Sequence, residues 1–221
     1  MGNKVLTPLQ ERILGFLVKN RLPEQGYFLT GGTALAAFYF QHRLSDDLDF
    51  FTRKQESLEE DFKIQRNTLA SAGFSVSVRH VSSDGMVLFV DGMKVEFHRD
   101  VPVRMAPEKT FDNLVVDSLE DISVNKVCAI AGRPMAESKD FCDLYFILKG
   151  SEYKLEYLLG RAKEKEALFD GEDGVMVFAN RLLEVKKLEK LPKMLKPLSL
   201  ENLRQFFMPK AEDIIRRLRP R

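Results

Sequence analysis

The sequence predicts an α+β fold, in which a mixed sheet with helices over residues 1–115 is followed by a helical C-terminal domain over residues 116–221. Three observations support this prediction. A short apolar strand, a glycine pair, a helix and a second strand follow one another within residues 27–52, and three segments between residues 74 and 98 alternate apolar with polar residues. From residue 118 onward, apolar residues recur mainly at helical spacing.

The first elements are defined by capping residues and apolar runs. Thr7, Pro8 and Gln10 provide an N-cap, a proline at the first helical position and a capping-box glutamine, so the first helix is expected over residues 8–20. The elements that follow are a strand over 27–30, a helix from Thr33 to about residue 42 and a strand over 47–52.

The middle of the chain predicts an antiparallel half of the sheet. Ser57-Leu-Glu-Glu60 has the spacing of a second capping box, which opens a helix to about residue 72. Asp91-Gly92 has the composition of a type I′ hairpin turn between two strands. The strands are predicted over residues 74–80, 86–90 and 93–98.

Helices are predicted for the rest of the chain, after a break between the domains near residues 111–117. Five lysines between residues 186 and 196 make this part locally basic, which is typical of a solvated helix face and compatible with a weak nucleic-acid groove. The predicted helices cover residues 118–131, 138–148, 152–166, 172–190 and 199–218.

The composition excludes several classes of protein. Of 221 residues, 44% are hydrophobic, and 34 basic against 33 acidic residues leave a net charge of +1, so any contact with nucleic acid must be local. Cys128 and Cys142 without a cysteine–histidine cluster argue against a disulfide scaffold and a structural zinc site. The N-terminus lacks a signal-peptide core, and no segment reaches the ~18 apolar residues of a membrane span. We therefore expect a cytoplasmic protein without a membrane partner.

The most informative segment joins a glycine pair to two aspartates. Gly31-Gly32 lets backbone N–H groups approach a phosphate, and the helix expected from Thr33 offers its positive end to the same anion. Asp47 and Asp49 are at strand spacing, so their carboxylates share one face about 6.5 Å apart along the strand. Two carboxylates held this close require a cation, so the segment predicts a site for phosphate and metal.

Metal-dependent transfer of a phosphate-bearing group generally needs a third carboxylate. Glu96 is favoured, because it shares its strand face with Lys94 and His98 while its neighbours turn to the opposite face. Asp100 competes for this role, and the sequence alone leaves the choice open. Each feature also has a simpler interpretation, since the glycines are compatible with a tight turn and the aspartates with a solvated strand edge.

The two segments Gly-Gly-Thr-Ala-Leu-Ala (31–36) and His-Arg-Leu-Ser-Asp-Asp-Leu-Asp-Phe-Phe (42–51) resemble the AbiEii/AbiGii toxin family of nucleotidyltransferases, within the polymerase-β-like superfamily. A second block downstream strengthens the resemblance. It consists of Lys126, Arg133 seven residues later, Lys139-Asp140 and Asp143-Leu-Tyr. Together the blocks cover about half of the chain. They are specific for the family and much less specific for a substrate.

The resemblance implies a role for each matching residue. Gly31, Gly32 and Thr33 would bind the phosphates of an NTP, with Ser45 as a further donor, while Asp47, Asp49 and Glu96 would ligate Mg²⁺ or Mn²⁺ and form the catalytic centre. Lys126 would contact the phosphates or stabilise charge in the transition state, and Arg133 would assist. Asp143 is a further catalytic candidate, and Asp140 and Arg43 are nucleotide-binding candidates.

Alternatives remain open for several of these residues. Asp140 and Asp143, three residues apart on a helix, can equally hold Lys126 by a salt bridge or cap a helix with Lys139. For Arg43, a phosphate contact and a structural ion pair are equally compatible with the sequence. Glu96 is the simplest acceptor for the proton of the attacking hydroxyl, although an aspartate is commoner at the third position in the superfamily.

The resemblance implies a Mg²⁺-dependent enzyme that transfers a nucleotidyl group from an NTP to a hydroxyl on RNA, such as a tRNA end, or on a protein. It also suggests the toxin of a toxin–antitoxin or phage-defence pair with a cognate antitoxin. Two other functions are compatible with the sequence. One is a small-molecule, antibiotic-modifying nucleotidyltransferase, and the other is a nucleotide-binding module without turnover.

Overall fold

The computed structural model describes residues 5–218 and contains two compact units, divided in sequence between Ser118 and Leu119. A mixed seven-stranded sheet is the basis of the N-terminal unit, and helices form the C-terminal unit. The predicted α+β class with a helical C-terminal region is therefore confirmed. Within residues 5–218, no helix combines the length and the apolar character that crossing a membrane would require.

The elements have the following bounds. The strands are β1 (Tyr27–Thr30), β2 (Leu48–Thr52), β3 (Val76–Val81), β4 (Gly85–Val90), β5 (Met93–Arg99), β6 (Lys109–Phe111) and β7 (Leu114–Val116). The α-helices are α1 (Pro8–Lys19), α2 (Gly31–Ala34), α3 (Glu59–Ser71), α4 (Leu119–Gly132), α5 (Ser138–Gly150), α6 (Leu155–Ala162), α7 (Glu172–Leu183) and α8 (Leu200–Leu218). A π-helical segment, Leu35–Phe40, continues α2, and 3₁₀ turns cover Pro23–Gln25, Ala167–Phe169 and Glu184–Lys187.

The sheet has the strand order β3-β4-β5-β2-β1-β7-β6. Strand β2 is central, pairing antiparallel with β1 and parallel with β5. The β4–β5 hairpin turns at Asp91 and Gly92, whose φ angles of 48° and 83° confirm the predicted left-handed turn. The two strands that carry the predicted carboxylates are thus direct neighbours.

The alternation of side chains on β2 and β5 separates the core from the polar face. Phe50 and Phe97 are fully buried on one face and stack with ring centroids 5.3 Å apart, and Tyr27 meets Phe97 edge-on at 5.7 Å. Each such buried side chain contributes about 2–3 kcal/mol to stability. Burial of this face fixes the register of both strands, so Asp49 and Glu96 must emerge together on the other face.

The helices near the glycine pair differ from the prediction. The helix begins at Gly31, two residues before the expected Thr33, and becomes π-helical from Leu35 because the Gln41 N–H bonds to the Ala36 carbonyl five residues back, at 2.8 Å. The predicted capping box at Ser57 is wrong. Leu58 occupies the N-cap position of α3 without a side-chain cap. The predicted capping box of α1 is confirmed, since Thr7 and Gln10 bond reciprocally.

One hairpin was not predicted. Residues 111–117, expected as an interdomain break, belong largely to the β6–β7 hairpin at the edge of the sheet. Asp112 and Asn113 form its turn with φ angles of 46° and 66°, which these two residue types tolerate better than most. Strand β7 then pairs in parallel with β1 at Leu29 and Val116.

In the C-terminal unit, α4 packs against α5, α6 and α7, and α7 packs against α8. Phe141 and Phe207 join α5 to α8 with their rings edge-to-face, 5.5 Å between centroids. The predicted helices over 152–166 and 172–190 are too long. Helix α6 ends at Ala162 and α7 at Leu183, and shorter 3₁₀ turns follow each of them.

Candidate active site

Strands β2 and β5 place two predicted carboxylates side by side. Asp49 and Glu96 are register partners in the parallel pairing, while the flanking Leu48 and Phe50 are buried in the core. Asp47 lies immediately before β2, which begins one residue later than predicted. The structure therefore brings Asp47, Asp49 and Glu96 together at the start of β2.

The ammonium of Lys94 lies among these carboxylates. Its Nζ is 3.0 Å from Asp47 Oδ2 and 2.9 Å from Glu96 Oε2. On the other side, His98 Nε2 is 3.7 Å from Glu96 Oε1. Because Lys94, Glu96 and His98 alternate along β5, they share one strand face. One cationic side chain thus bridges carboxylates from two separate segments.

The electrostatics of the site favour a cation. Burial, followed by the charge of Glu96, raises the pKa of Asp49 from 3.8 to about 7. The contact with His98 and the ammonium of Lys94 together outweigh burial and lower the pKa of Glu96 to about 2. Burial alone would lower the pKa of Lys94, but its hydrogen bonds to Glu96 and Asp47 raise it. Without metal, Asp49 therefore keeps its proton to a higher pH than Glu96 does.

Gly31 is required where β1 ends beside Asp49. Thr30 is the antiparallel partner of Asp49, so the next residue, Gly31, lies against the Asp49 side chain. Its φ is +71°, and a Cβ at this position would collide with Asp49 Oδ2 and lie 3.2 Å from Cγ. Both the backbone conformation and the contact with Asp49 disfavour a residue with a Cβ at this position. The glycine is therefore part of the carboxylate site as well as a turn.

Gly32 lies against two of the predicted nucleotide-binding residues. A Cβ on Gly32 would collide with the Arg43 guanidinium and lie 3.1 Å from Ser45 Oγ. Arg43 is 3% exposed and donates from Nη1 to the Leu44 carbonyl at 2.8 Å. The structure therefore places Gly32, Arg43 and Ser45 in one cluster at the start of α2.

Two side chains fix the loop that leads to the aspartates. The Thr33 hydroxyl donates to the backbone carbonyl of Asp47, and Gln10 of α1 donates from Nε2 to the Ser45 carbonyl at 2.7 Å. Thr33 is 1% exposed. Its hydroxyl therefore anchors Asp47 in this structure.

Asp100, the rival for the third carboxylate, belongs to another cluster. Its Oδ2 is 3.2 Å from Arg53 Nη2, and its backbone N–H bonds to the Thr52 carbonyl at 2.7 Å. Arg53 also pairs with Glu108 and, at 3.6 Å, with Asp117. Glu96 rather than Asp100 is therefore aligned with Asp49.

The second predicted block lies in the C-terminal unit. Lys126 of α4 is 7% exposed, and its Nζ is 3.0 Å from Asp140 Oδ1 and 2.8 Å from Asp143 Oδ2, both on α5. Arg133, just after α4, pairs with the same Asp140 at 2.7 Å and with Glu137 at 2.6 Å. The structure thus gathers Lys126, Arg133, Asp140 and Asp143 into one ionic network, as the salt-bridge alternative anticipated.

The donor set around Asp49 suits a hard divalent cation, because Mg²⁺ and Mn²⁺ prefer carboxylate oxygens. Asp47, Asp49 and Glu96 supply such oxygens, and the Lys94 ammonium already acts as their counter-charge. Among residues 5–218, however, no three acidic, histidine or cysteine side chains are arranged as a finished metal site. The residue types fit such an ion, and the Lys94 ammonium occupies the position between Asp47 and Glu96 that the ion would take.

Sequence reasoning identified the carboxylates and the strand face of Glu96, but not the contact between Lys94 and Asp47. The alternation along β5 placed Lys94 and His98 on the correct face, yet only the parallel pairing of β2 with β5 shows that Lys94 reaches Asp47. Gly85 is a second missed position. A Cβ there would collide with His98 Nδ1 and lie 2.7 Å from Cε1, so this glycine gives the imidazole its space.

Comparison with known sequences gives two matches. A family model described as "Nucleotidyl transferase AbiEii toxin, Type IV TA system" matches residues 16–218. An uncharacterized protein of Aquifex aeolicus (strain VF5), aq_aa25, is 34% identical over 141 residues, which are 63% of this chain. The aligned region spans 66% of that protein, just under two thirds of its length.

Comparison with solved structures supports the fold. JHP933 from Helicobacter pylori superposes with a TM-score of 0.56 at 23% identity, covering 94% of this chain and 91% of that one. The antibiotic-resistance factor ANT(2'')-Ia superposes with a TM-score of 0.52 at 12% identity, covering 72% and 92% of the two chains. At these identities the similarity concerns the fold alone.

Proposed function

This chain belongs to the AbiEii family of nucleotidyltransferases, and from that premise we propose that it transfers a nucleotidyl group from an NTP to a hydroxyl acceptor. In this proposal Asp47, Asp49 and Glu96 hold Mg²⁺ or Mn²⁺. The observation that supports it best is the alignment of Asp49 with Glu96 on β2 and β5, with Gly31 packed against the Asp49 carboxylate. A backbone without a side chain next to a half-buried carboxylate is suited to a phosphate bound through metal.

The reaction balances as follows. The acceptor oxygen bonds to the α-phosphorus, the bond between the α- and β-phosphates breaks, and pyrophosphate leaves with its electron pair. A carboxylate of the cluster takes the hydroxyl proton. A divalent cation bound there would neutralise triphosphate charge and lower the pKa of the attacking hydroxyl.

The chain's own groups orient the substrate. Gly31 packs against the Asp49 carboxylate and Gly32 against the Arg43 guanidinium, and we propose that this glycine segment and Arg43 contact the phosphates. Thr33 keeps the Asp47 segment in place by its bond to the Asp47 carbonyl. In the C-terminal unit, Asp140 and Asp143 fix the Lys126 ammonium, for which we propose a phosphate contact with assistance from Arg133.

For the acceptor we propose RNA, and for the biological role the toxin of a type IV toxin–antitoxin pair, as the family description indicates. Five exposed lysines support a polyanionic acceptor, because they concentrate positive charge in a chain whose net charge is only +1. These lysines are Lys186, Lys187, Lys190, Lys193 and Lys196.

The proposal is tested by incubating the protein with each labelled NTP, Mg²⁺ and total cellular RNA, and then separating RNA from protein. We expect label in the RNA, release of pyrophosphate, and loss of both in Asp49→Asn. Asp46→Asn is the matched control, since Asp46 is an exposed carboxylate in the same loop. If the protein binds nucleotide but releases no pyrophosphate with any of the four NTPs, the enzymatic function is refuted and a nucleotide-binding module is supported.

A small-molecule acceptor is the second candidate that the assay tests. A structure of ANT(2'')-Ia in complex with adenylyl-2''-tobramycin has a TM-score of 0.50 to this chain at 13% identity. The same assay therefore includes an aminoglycoside arm. Label in the aminoglycoside and none in RNA would replace RNA with a small-molecule acceptor, and label in the protein fraction would indicate a protein hydroxyl.

A further inference from the structure

The feature that the proposed chemistry leaves unused is the ammonium at the centre of the carboxylate cluster. Lys94 precedes Glu96 by two residues on β5, so both side chains leave the same strand face. Its Nζ contacts Glu96 on its own strand and Asp47 on the loop before β2, at 2.9 and 3.0 Å. One side chain therefore joins the two segments that a metal ion would also join.

The Lys94 ammonium contacts carboxylate oxygens that a metal ion would also bind. Asp47 Oδ2 and Glu96 Oε2 are both engaged by the ammonium, and the three side chains concerned retain only 20–33% exposure. Two cations cannot share the same carboxylate oxygens at such distances without strong repulsion. A divalent ion can therefore bind these oxygens only when Lys94 moves away.

A lysine is suited to such a displacement. Its ammonium is a point charge on a flexible stem, so a change of rotamer can take it away from the carboxylates. The triphosphate of an incoming nucleotide offers the displaced ammonium new anionic partners. Free metal ions bring no such replacement.

We propose that Lys94 is a resident counter-cation that keeps free divalent metal out of the Asp47–Glu96 pair and yields only to metal that arrives with a nucleotide. This inference rests on the proposed metal-dependent function. It assigns Lys94 a specificity-determining role, because the side chain makes metal binding conditional on the nucleotide triphosphate. It also makes Lys94 the group that holds Asp47 and Glu96 together before substrate arrives.

The test measures binding of Mn²⁺ alone, by the electron paramagnetic resonance signal of the free ion, in wild type and Lys94→Met. We expect the variant to bind Mn²⁺ about tenfold more tightly than wild type without nucleotide, since one competing positive charge is removed. With a non-hydrolysable NTP analogue, and after subtraction of the Mn²⁺ that the analogue binds in a protein-free control, wild-type affinity should rise to within about threefold of the variant. Lys94→Arg keeps the charge and should resemble wild type.

Controls separate this effect from loss of structure. Lys63→Met removes a lysine that is 58% exposed and paired with Glu60, and should leave Mn²⁺ affinity unchanged. Lys94→Gln repeats the charge removal with a polar side chain, so the test stands even if the methionine variant does not fold. The melting temperature of either neutral variant in EDTA should be lower than that of wild type and should recover when Mn²⁺ is added.

The outcomes distinguish this inference from the function it rests on. If wild type binds Mn²⁺ with the nucleotide analogue while neither neutral variant binds Mn²⁺ alone more tightly than wild type, the role of Lys94 is refuted and the proposed function stands. If no protein binds Mn²⁺ even with the analogue, the metal-dependent function itself is refuted, and this inference is refuted with it.

Discussion

Replacing Asp49 with asparagine should stabilise the metal-free protein while removing its response to metal. Burial and the neighbouring Glu96 raise the pKa of Asp49 from 3.8 to about 7. One pKa unit corresponds to about 1.4 kcal/mol, so ionised Asp49 lowers the free energy of unfolding by up to about 4 kcal/mol. Because Asp49 is partly exposed, water screens some of this cost, and we expect a gain of about 2 kcal/mol for the variant.

The pH dependence follows from the sign of the shift. A carboxyl whose folded pKa exceeds its unfolded pKa stabilises the fold in its protonated form, so its contribution is complete below pH 3.8 and is lost as pH rises to about 7. Asparagine stays neutral at every pH and can still donate to Glu96. The advantage of the variant should therefore be small at pH 4, grow up to about pH 7 and remain constant above it.

The measurement is thermal unfolding in EDTA at a series of pH values. A gain of about 2 kcal/mol corresponds to a melting temperature about 4–8 °C higher than wild type at pH 8. Asp46→Asn, which neutralises an exposed carboxylate three residues away, should change the melting temperature by less than about 2 °C. If Asp49→Asn melts at or below the wild-type temperature at pH 8 without metal, the electrostatic argument for a cation at this site is wrong.

Two further predictions concern the glycine motif and the ionic network of the C-terminal unit. Gly31→Ala should abolish nucleotidyl transfer and lower the free energy of unfolding by about 3 kcal/mol in chemical denaturation, because it adds a collision with Asp49 to a φ of +71°. The control Gly73→Ala, at φ +84° in open space, should cost about 1 kcal/mol and leave activity unchanged. Equal losses in both variants would mean that backbone strain alone explains Gly31. Lys126→Met should destabilise the protein by about 3 kcal/mol, because it leaves Asp140 and Asp143 buried without that cation. The control Lys139→Met removes a lysine that is 39% exposed and should cost less than about 1 kcal/mol. A loss of stability in Lys126→Met no larger than that of the control would contradict the buried network.

Much of the fold could be predicted because its signals are local. The capping box of α1, the Asp91-Gly92 turn and the alternating strands depend on residues within a few positions of one another. The resemblance to the AbiEii family, carried by two short blocks, is confirmed by the match over residues 16–218. The β6–β7 hairpin was missed because its strands are three residues long and lack a clear alternation. The π-helical segment after α2 depends on backbone hydrogen bonds shifted by one residue, such as that from the Gln41 N–H to the Ala36 carbonyl, which have no signature in the sequence.

The site was predictable only as far as each segment determines its own geometry. Strand spacing predicts that Asp47 and Asp49 share one strand face, and the same rule predicts that Glu96 shares a face with Lys94 and His98. What the spacing could not supply was the pairing partner of each strand. That pairing decides that Lys94 reaches Asp47, and it separates Glu96 from Asp100, which is held by Arg53.

The glycine pair and the aspartates are best understood as one physical unit. Because β1 runs antiparallel to β2 with Thr30 opposite Asp49, the residue that follows β1 must pass over the Asp49 side chain, and only a glycine leaves space for the carboxylate there. The positive φ of Gly31 then turns the chain into α2, where the buried Thr33 donates back to the Asp47 carbonyl. The glycine segment therefore holds the aspartate segment at two positions, Asp47 and Asp49. A substitution in either half of the motif should consequently disturb the carboxylates themselves, even when the changed residue has no chemistry of its own.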